Sequence, residues 1–366
     1  MKIVFRVDSS GLIGSGHFFR CKTLATELRK KGVDIHFVVR DLDGNLSSVL
    51  QEDAFRVSLL TAPEELTENN GVKNQYSSWL TVSQRTDALE TINVLDDLKY
   101  DWLIIDHYSL DIEWEMILKP YVKKILVIDD LQGKRHYCDL FLNQNFSLPG
   151  EDRFGSDLPE HAIKILGPSY ALLRPEYREY RKKKRVRNNI TKKIFVFMGG
   201  SDNVNATSLV LRVLSLPEFA HIELDLVIGA SNTHKAEITD LAEMRGSTNI
   251  HLPRAHLADL MSGADLAIGG SGGTTWERCC LGLPSLSIGV SNDQGPIAEA
   301  LDEAGIVCYL GMLKDVTISS LSKKISAVLS DSSKLREMSN RSLELVDGLG
   351  VDRIIKQLFL PVADKI

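Results

Sequence analysis

The sequence predicts an α/β protein built from two doubly wound, Rossmann-like domains that face each other across a cleft. Apolar, β-branched runs alternate with segments of helical periodicity along most of the 366 residues, as in parallel sheets covered by helices. The alternation stops once near the middle of the chain and then restarts. A chain of this length is also too long for one ordinary hydrophobic core, which supports two domains.

The first half of the chain contains six predicted strands. They are KIVFRV (2–7), DIHFVV (34–39), FRVSLL (55–60), DWLIID (101–106), KILVID (124–129) and DLFLNQ (139–144). Residues 17–32 lie between the first two strands and predict a helix that ends at Gly32. The apolar stripe of this helix comprises Phe18, Cys21, Leu24, Ala25 and Leu28. A strand, a helix and a second strand in this order indicate a parallel sheet.

The second half restarts the same pattern. Its predicted strands are KIFVFM (193–198), ELDLVI (223–228), NIHL (249–252), ADLAIG (264–269), PSLSIG (284–289) and IVCYLG (306–311). Residues 146–163 have no periodicity, and 174–193 are rich in Arg, Lys and Tyr, which places the boundary at about 165–192. We therefore assign an N-terminal domain to 1–170, a linker to 171–192 and a C-terminal domain to 193–366. The last helix is expected to pack back on the N-terminal domain.

The composition is that of a globular protein and excludes several functional classes. Hydrophobic residues make up 43% and charged residues 25%, and the net charge is -6. An acidic chain does not suggest a nucleic acid as the partner. The basic run at 181–187 has no accompanying aromatic platform and is interpreted as a solvated linker or helix face.

The N-terminus and the cysteines favour a cytoplasmic location. The first residues, MKIVFRV, predict a strand rather than a signal peptide, because a charged residue interrupts a short apolar run. No stretch approaches 18 unbroken apolar residues, so no membrane span is expected. The five cysteines are scattered and lack CxxC spacing, which favours buried thiols in a reducing compartment over disulfides or a zinc site.

The loop after the first strand, RVDSSGLIGSGHFFR (6–20), is the first candidate functional segment. Gly11, Gly14 and Gly16 lie between a strand and a helix, where glycines let backbone amides approach a ligand closely. The spacing does not complete a dinucleotide-binding G-x-G-x-x-G. His17 stands at the predicted helix start, where a neutral imidazole is favoured and can accept a proton. A capping or structural histidine is the alternative that these residues leave open.

The second segment, GGSDNVN (199–205), follows the strand at 193–198. Gly199 and Gly200 predict a turn, and Ser201 and Asp202 are good N-cap residues for the next helix. Either a phosphate-binding loop or an ordinary strand-to-helix turn fits this pattern.

The third segment, GGSGGTTWERCCLGLPSLSIG (269–289), is the most specific. Four glycines and a serine follow a strand and precede a short helix, which predicts a nest of backbone donors suited to a diphosphate. Thr274 and Thr275 add hydroxyl groups. Glu277 lies on the first turn, where a carboxylate can accept hydrogen bonds from a ribose or interact with the helix dipole. The chain has no G-x-x-x-x-G-K-[ST] motif and is not a P-loop protein.

Further polar residues follow two other predicted strands. Asp129, Asp130 and His136 come after the strand at 124–129, and their spacing does not match a standard metal motif. We interpret them as hydrogen-bonding groups on the sugar side of the cleft. Asp106 and His107 end the preceding strand and are expected to border the same site. No metal and no cofactor are expected.

Taken together, these segments resemble the UDP-2,4-diacetamido-2,4,6-trideoxy-β-L-altropyranose hydrolases of pseudaminic acid biosynthesis. The resemblance runs through Arg6 to Ala25, V-I-D-D-L (127–131), C-D-L-x-L-x-Q-N (138–145), G-P-x-Y-A-L-L-R-P-E (167–176), G-G-S-D-x-x-N (199–205) and G-G-S-G-G-T-T-W-E-R (269–278). It spans nearly the whole chain. The glycine-rich loop and the acidic ribose contact are also similar to the wider glycosyltransferase-B superfamily.

The resemblance implies metal-independent hydrolysis of a UDP-sugar. Water would attack the anomeric carbon with inversion and UDP would leave, with UDP held by the C-terminal domain and the sugar facing the N-terminal domain. The catalytic base would be His17 and the ribose-binding acid Glu277. The stretch VSNDQGP (290–296) leaves open whether Asn292 or Asp293 contacts the substrate. The implied substrate-binding residues are Asp8, Gly14, Gly16, Gly200, Ser201, Gly270, Ser271, Gly272, Gly273, Thr274, Glu277, Asn292, Asp293 and Gln294.

Three other functions fit parts of the same pattern. A glycosyltransferase of this fold would pass the sugar to an acceptor hydroxyl, and a UDP-sugar 2-epimerase would exchange the proton at C2 with solvent. A regulator that binds a nucleotide sugar without catalysis is the third. The expected partner is the UDP-sugar alone, and a monomer is compatible with the sequence. The free sugar would serve nonulosonate biosynthesis for flagellin or surface polysaccharides.

Overall fold

The computed structural model describes residues 1–63, 76–95, 99–148, 154–183, 190–254, 256–291 and 294–360. It divides into two compact units. Unit 1 comprises Met1–Asn145, Gly150–Leu172 and Gly350–Ile366, and unit 2 comprises Phe146–Pro149 and Leu173–Leu349. Each unit has a parallel sheet with helices, which confirms the predicted fold of two Rossmann-like domains.

Unit 1 contains a sheet of seven described strands in the order β3-β2-β1-β4-β5-β6-β7. The strands are β1 (Lys2–Val7), β2 (Asp34–Arg40), β3 (Arg56–Leu60), β4 (Tyr100–Asp106), β5 (Val122–Ile128), β6 (Leu140–Asn143) and β7 (Ile163–Leu166). The helices are α1 (Gly16–Arg29), α2 (Ser47–Glu52), α3 (Gln84–Val94) and α4 (Ile112–Leu118). Short 3₁₀ turns cover Ser77–Trp79, Lys119–Tyr121, Gly155–Asp157 and Pro168–Tyr170. The strand order reverses between β1 and β4, where open α/β sheets bind ligands.

Unit 2 contains a sheet of six described strands in the order β10-β9-β8-β11-β12-β13. The strands are β8 (Lys193–Phe197), β9 (Glu223–Val227), β10 (Thr248–His251), β11 (Leu266–Gly270), β12 (Ser285–Gly289) and β13 (Cys308–Met312). The helices are α5 (Pro175–Lys182), α6 (Ala206–Leu214), α7 (Lys235–Arg245), α8 (Ala258–Gly263), α9 (Thr274–Cys280), α10 (Gln294–Glu303), α11 (Ile318–Ser330) and α12 (Ser332–Leu345). Short 3₁₀ turns cover Pro217–Phe219 and Leu313–Asp315. The order reverses between β8 and β11.

The last helix, α13 (Gly350–Leu358), belongs to unit 1. The indole Nε1 of Trp102 in β4 donates a hydrogen bond to the carbonyl of Leu358 at 3.1 Å. Ile354 and Leu358 lie in the same buried cluster as the apolar stripe of α1. The chain therefore returns to the unit in which it began.

Most of the strands and helices predicted from the sequence are present in the structure. All twelve predicted strands are present, with ends that differ by up to two residues. Every residue of the predicted α1 stripe is fully buried, and Gly32 adopts φ +79° just beyond the helix end. The prediction missed β7, a short strand that pairs with β6 directly after the aperiodic segment. In the described parts of the chain, no helix is long and apolar enough to cross a membrane.

Candidate active site

The loop after β1 brings His17 to the carboxyl edge of the unit 1 sheet. The amide of Gly14 donates to the carbonyl of Ser10 at 2.9 Å and closes a tight turn, and Gly14 adopts φ +78°. A side chain is disfavoured at this backbone angle, which explains the glycine. Helix α1 begins at Gly16, so His17 lies in its first turn. β1 and β4 are paired neighbours, and the residues that end β4 therefore lie beside this loop.

His17 forms a buried pair with Asp106, the last residue of β4. Its Nδ1 lies 2.5 Å from Oδ1 of Asp106. Arg20, one turn further along α1, donates from Nε to Oδ2 at 2.5 Å and from Nη2 to Oδ1 at 2.6 Å. Burial alone raises the pKa of Asp106, but attraction to Arg20 and His17 outweighs it and holds the pKa well below its usual range. Asp106 is therefore an ionised carboxylate.

The pair with Asp106 determines what His17 can do chemically. An ionised carboxylate only accepts hydrogen bonds, so Nδ1 of a neutral His17 carries the ring proton. Nε2 is then the nitrogen that can accept a proton. The negative charge of Asp106 also stabilises the imidazolium that forms when Nε2 takes up a proton. This arrangement is that of a general base whose tautomer is fixed by a neighbouring acid.

Two aromatic side chains, Tyr108 and Trp79, surround His17, and neither was among the predicted site residues. The Tyr108 ring meets the imidazole edge-on at 4.5 Å between centroids, and Trp79 meets it at 5.8 Å. Trp79 stacks on Tyr108 with an interplanar angle of 17°. Tyr108 directly follows Asp106 and His107, so its place in the sequence could have indicated a site residue. Trp79 lies in a separate 3₁₀ turn, and its place in the sequence gives no such indication. These rings give the histidine apolar walls.

Asp8 and His107, two predicted site residues, belong to a buried charge network in unit 1. Both carboxylate oxygens of Asp8 accept from Arg6, at 2.5 and 2.9 Å, and Oδ1 also accepts from the amide of Arg40. Nε2 of His107 lies 3.2 Å from Oδ2 of Asp8. Burial lowers the pKa of His107 below its usual value, with Asp8 offsetting part of that effect. Asp8 is fully buried, so its bonds hold the β1 loop in place.

The side chains of Asp129 and His136 are also buried in the protein interior. Nδ1 of His136 lies 2.6 Å from Oε1 of Glu115, and its Nε2 lies 3.3 Å from Asp129. Lys134 donates to Asp129 at 2.6 Å. Burial opposes the charged imidazolium, but Glu115 and Asp129 outweigh it and raise the pKa of His136 to about 9. These groups are buried partners of one another rather than groups on an open surface.

Asp130 is the member of this stretch that lies near His17. Its carboxylate accepts hydrogen bonds from the hydroxyl of Tyr108 and, at 2.8 Å, from the side-chain amide of Asn145. Burial raises the pKa of Asp130, with Arg20 opposing that effect and the charge of Asp129 adding to it. Asp130 therefore connects the carboxyl ends of β5 and β6 to the ring that packs on the histidine.

In unit 2, the glycine-rich segment is a tight connection between β11 and α9. The first two glycines end β11, so only Ser271, Gly272 and Gly273 form the connection. Ser271 is buried, and its hydroxyl faces the carbonyl of Ile288 at 3.5 Å. Gly273 is exposed, and a Cβ added there would meet nothing within 4 Å. Gly272, Gly273 and Thr274 are thus the part of the segment that a ligand can reach.

Arg278 lies buried beneath the glycine-rich segment. Its Nη2 donates to the carbonyl of Gly270 at 2.8 Å and to the hydroxyl of Thr275 at 3.0 Å. Among the described residues, Nε and Nη1 of Arg278 have no hydrogen-bond partner. Burial lowers the pKa of Arg278 to about 10. A Cβ at Gly269 would lie 2.2 Å from Nη1, so that glycine makes room for the guanidinium.

Glu277 is held by a residue from another helix. Its carboxylate accepts a hydrogen bond from the hydroxyl of Tyr177 in α5. Burial raises the pKa of Glu277, and the bond from Tyr177 and the charge of Arg174 offset only part of that rise. Among the described residues, Oε2 of Glu277 is buried without a partner. The sequence pointed to Glu277 but not to Tyr177.

The other predicted residues of unit 2 lie at the carboxyl ends of neighbouring strands. Gly200 and Ser201 follow β8, and the carbonyl of Gly200 accepts from the amide of Ser231 at 3.1 Å. Gln294 begins α10, and its Nε2 would lie 3.7 Å from a Cβ placed on Gly272. β11 pairs with both β8 and β12, so these residues share one sheet edge. Asn292 and Asp293 lie outside the described residues.

The described residues contain no group of three or more His, Cys, Asp or Glu side chains arranged to hold a metal ion. The charged pairs around His17 and His136 are instead compensated by Arg20, Lys134 and their carboxylate partners.

Comparison with solved structures identifies the fold. MurG from Acinetobacter baumannii superimposes with a TM-score of 0.67 at 14% identity, covering 98% of this chain and 99% of that chain. CalG4, the calicheamicin glycosyltransferase, gives a TM-score of 0.62 at 13% identity, covering 99% of each chain. The chain has the glycosyltransferase-B fold. In agreement with this fold, residues 194–358 match the model of the glycosyltransferase family 28 C-terminal domain.

Three proteins are similar to this chain in sequence. A UDP-2,4-diacetamido-2,4,6-trideoxy-beta-L-altropyranose hydrolase from Campylobacter jejuni is 28% identical over 72% of this chain and 82% of its own length. The spore coat polysaccharide biosynthesis protein SpsG of Bacillus subtilis is 24% identical over 93% of both chains. An uncharacterized protein of Methanocaldococcus jannaschii is 26% identical over 78% of this chain, and the match spans only 54% of that protein.

Proposed function

We propose that this protein hydrolyses a UDP-linked 2,4-diacetamido-2,4,6-trideoxyhexose to UDP and the free sugar, with inversion at the anomeric carbon. The observation that carries the proposal is the His17–Asp106 pair, in which a carboxylate holds Nδ1 at 2.5 Å. This pair leaves Nε2 to accept a proton from water. The similarity to the Campylobacter jejuni hydrolase supports the choice of reaction and sugar class.

In the proposed reaction, Nε2 of His17 removes a proton from water as the water oxygen bonds to C1. The bond between C1 and the diphosphate oxygen breaks, and its electron pair leaves with UDP. Asp106 and Arg20 keep the imidazole oriented throughout. General-base assistance of this kind contributes on the order of 10²–10⁴-fold in rate. UDP is a good leaving group once its charge is stabilised, so a second protein acid is not needed for departure.

For UDP, we propose the residues of unit 2. The exposed backbone at Gly272, Gly273 and Thr274 would bind the diphosphate, with the buried charge of Arg278 behind it adding to the attraction. Glu277 would accept a hydrogen bond from the ribose. Gly200, Ser201 and Gln294 lie on the same sheet edge and complete the proposed set. The match of this unit to the family 28 C-terminal domain supports a nucleotide-sugar role.

Isotope-labelled water tests the proposed reaction directly. The protein is incubated with UDP-linked 2,4-diacetamido-2,4,6-trideoxyhexoses of differing stereochemistry in H₂¹⁸O, and products are followed by NMR and mass spectrometry. We expect UDP without label, an early product with ¹⁸O at C1, and the inverted anomer. His17→Asn should abolish turnover and keep UDP affinity, whereas His221→Asn, an exposed histidine, should change neither. Full turnover by His17→Asn would overturn the proposed base.

A glycosyltransferase is the second candidate, because the fold and the family 28 match are those of sugar-transferring proteins. Turnover that requires an added acceptor hydroxyl, with no free sugar in its absence, would favour transfer over hydrolysis. Exchange of the C2 proton with deuterated solvent would instead indicate a 2-epimerase. The similarity to a spore coat polysaccharide protein supports a role for the product in surface glycans.

A further inference from the structure

Tyr177 lies in the segment G-P-S-Y-A-L-L-R-P-E-Y (167–177), to which the proposed reaction assigns no task. It stands in α5 and is only 1% exposed. A tyrosine of this burial needs partners for its hydroxyl, because an unsatisfied buried hydroxyl is costly. The carboxylate of Glu277, in the same unit, is such a partner.

The hydroxyl of Tyr177 donates to the carboxylate of Glu277, which lies in the first turn of α9. Helices α5 and α9 pack against each other, and this packing brings the two side chains together. Because an ionised carboxylate only accepts hydrogen bonds, the hydroxyl hydrogen points at Glu277.

The hydrogen bond from Tyr177 occupies one side of the Glu277 carboxylate and leaves the other side unsatisfied. Oε2 is buried and has no partner among the described residues. A buried carboxylate oxygen without a donor is unfavourable, and a hydroxyl group of a ligand would remove that cost. Arg174 and Arg278 contribute charge near Glu277, and their attraction also favours the ionised, accepting form.

We propose that Tyr177 is a positioning residue that aims Oε2 of Glu277 at a ribose hydroxyl of the nucleotide. The inference rests on the proposed function, since it takes UDP as the ligand and Glu277 as its ribose contact. By holding one oxygen, Tyr177 stops the carboxylate from rotating and from pairing both oxygens with protein groups. Tyr177 therefore determines how strongly the site distinguishes a ribose from a deoxyribose.

The test compares UDP with 2′-deoxy-UDP and 3′-deoxy-UDP as ligands, by calorimetry on the full chain. A hydrogen bond to a charged group predicts that the wild type prefers UDP over one deoxy analogue by roughly tenfold or more. Tyr177→Phe keeps the ring and removes the hydroxyl. We expect Tyr177→Phe to reduce that preference several-fold. Its affinity for the deoxy analogue that the wild type binds more weakly should stay nearly unchanged. The matched control is Tyr180→Phe, which lies on the same helix and packs against Lys183.

A double-mutant cycle separates positioning from simple stabilisation. Glu277→Gln should lower the preference for UDP, and adding Tyr177→Phe to it should lower the preference no further, because the two residues act through one contact. A Tyr177→Phe protein that melts earlier but keeps the wild-type preference would overturn the inference. So would additive effects in the double variant.

Failure of the proposed function gives a different result from failure of the inference. If the wild type does not bind UDP at all, the proposed function and the inference both fall. If the wild type binds UDP and both deoxy analogues with the same affinity, the ribose contact of Glu277 is wrong and only the inference is overturned. A preference in the wild type that disappears in Tyr177→Phe and persists in Tyr180→Phe supports both.

Discussion

Nδ1 of His17 lies 2.5 Å from Oδ1 of Asp106, and the two residues come from positions 89 apart in the chain. The pairing follows from the sheet order, because β1 and β4 are neighbours and the loop after β1 turns back over the end of β4. Arg20 binds both oxygens of the same carboxylate from the next turn of α1. The histidine is therefore fixed from two elements at once.

Asp106→Asn should lower kcat by about 10²- to 10⁴-fold while UDP affinity changes little. The amide has almost the same shape, but it can present a donor to Nδ1 and so favour the tautomer in which Nε2 already carries the proton. Steady-state turnover and UDP calorimetry check this. Asp101→Asn is the control, since Asp101 lies on the same strand and binds Lys123 instead. Unchanged kcat in Asp106→Asn would mean that Asp106 does not direct the tautomer.

Asp8→Asn should lower the stability of the protein rather than its affinity for UDP. Asp8 is fully buried and bonded to Arg6, and removing one partner of a buried ion pair costs about 3–5 kcal/mol. Denaturant unfolding measures that loss, and UDP binding is measured at a temperature where the variant is folded. Asp34→Asn serves as the control, because the exposed pair with Lys2 at 3.9 Å is worth at most about 1 kcal/mol. A specific loss of UDP affinity would instead place Asp8 in contact with the ligand.

Alanine substitutions at Gly269 and Gly273 should have opposite consequences. A Cβ at Gly269 would lie 2.2 Å from Arg278 and 2.7 Å from the carbonyl of Phe197, so Gly269→Ala should destabilise the protein by about 1–3 kcal/mol or more. Gly273 has φ -54° and ψ -30° with open space around it, so Gly273→Ala should alter stability by no more than about 0.5 kcal/mol.

Gly273→Ala should instead weaken UDP binding several-fold, because the new methyl group would occupy the side from which the diphosphate approaches. Thermal unfolding and UDP calorimetry on both variants separate the two effects. A Gly273→Ala protein with wild-type UDP affinity would argue against the exposed glycines as the diphosphate site.

The local features of this chain could be predicted from its sequence, and the side-chain pairings could not. The 3.6-residue stripe of α1 and the alternation of strands depend on neighbouring residues, and both are confirmed. The strand β7 was missed because its four residues follow an aperiodic stretch, and only their pairing with four residues of β6 reveals them as a strand. The partners Asp106 and Tyr177 depend on sheet order and helix packing, which no local pattern encodes.

Raising the pH should destabilise unit 1 through His136. The folded pKa of about 9 lies above the usual histidine value of 6.5, because Glu115 and Asp129 favour the imidazolium more than burial opposes it. A raised pKa contributes stability that is complete below pH 6.5 and is lost as the pH rises through about 9. The difference corresponds to roughly 3 kcal/mol. Lys134 also binds Asp129 and keeps that carboxylate paired when the imidazole is neutral.

Denaturant unfolding between pH 6 and 9 measures this effect. The wild type should lose stability across that interval, and His136→Gln should start less stable and change less with pH. His161→Gln is the control, because His161 is exposed and its described ring contact is an edge-on one with Tyr137. Parallel curves for the wild type and His136→Gln would show that the imidazole is not charged in the folded protein. The carboxylate of Glu115 would then be held by the neutral imidazole and by the backbone amide of Tyr137, while Lys134 would remain the cation that binds Asp129.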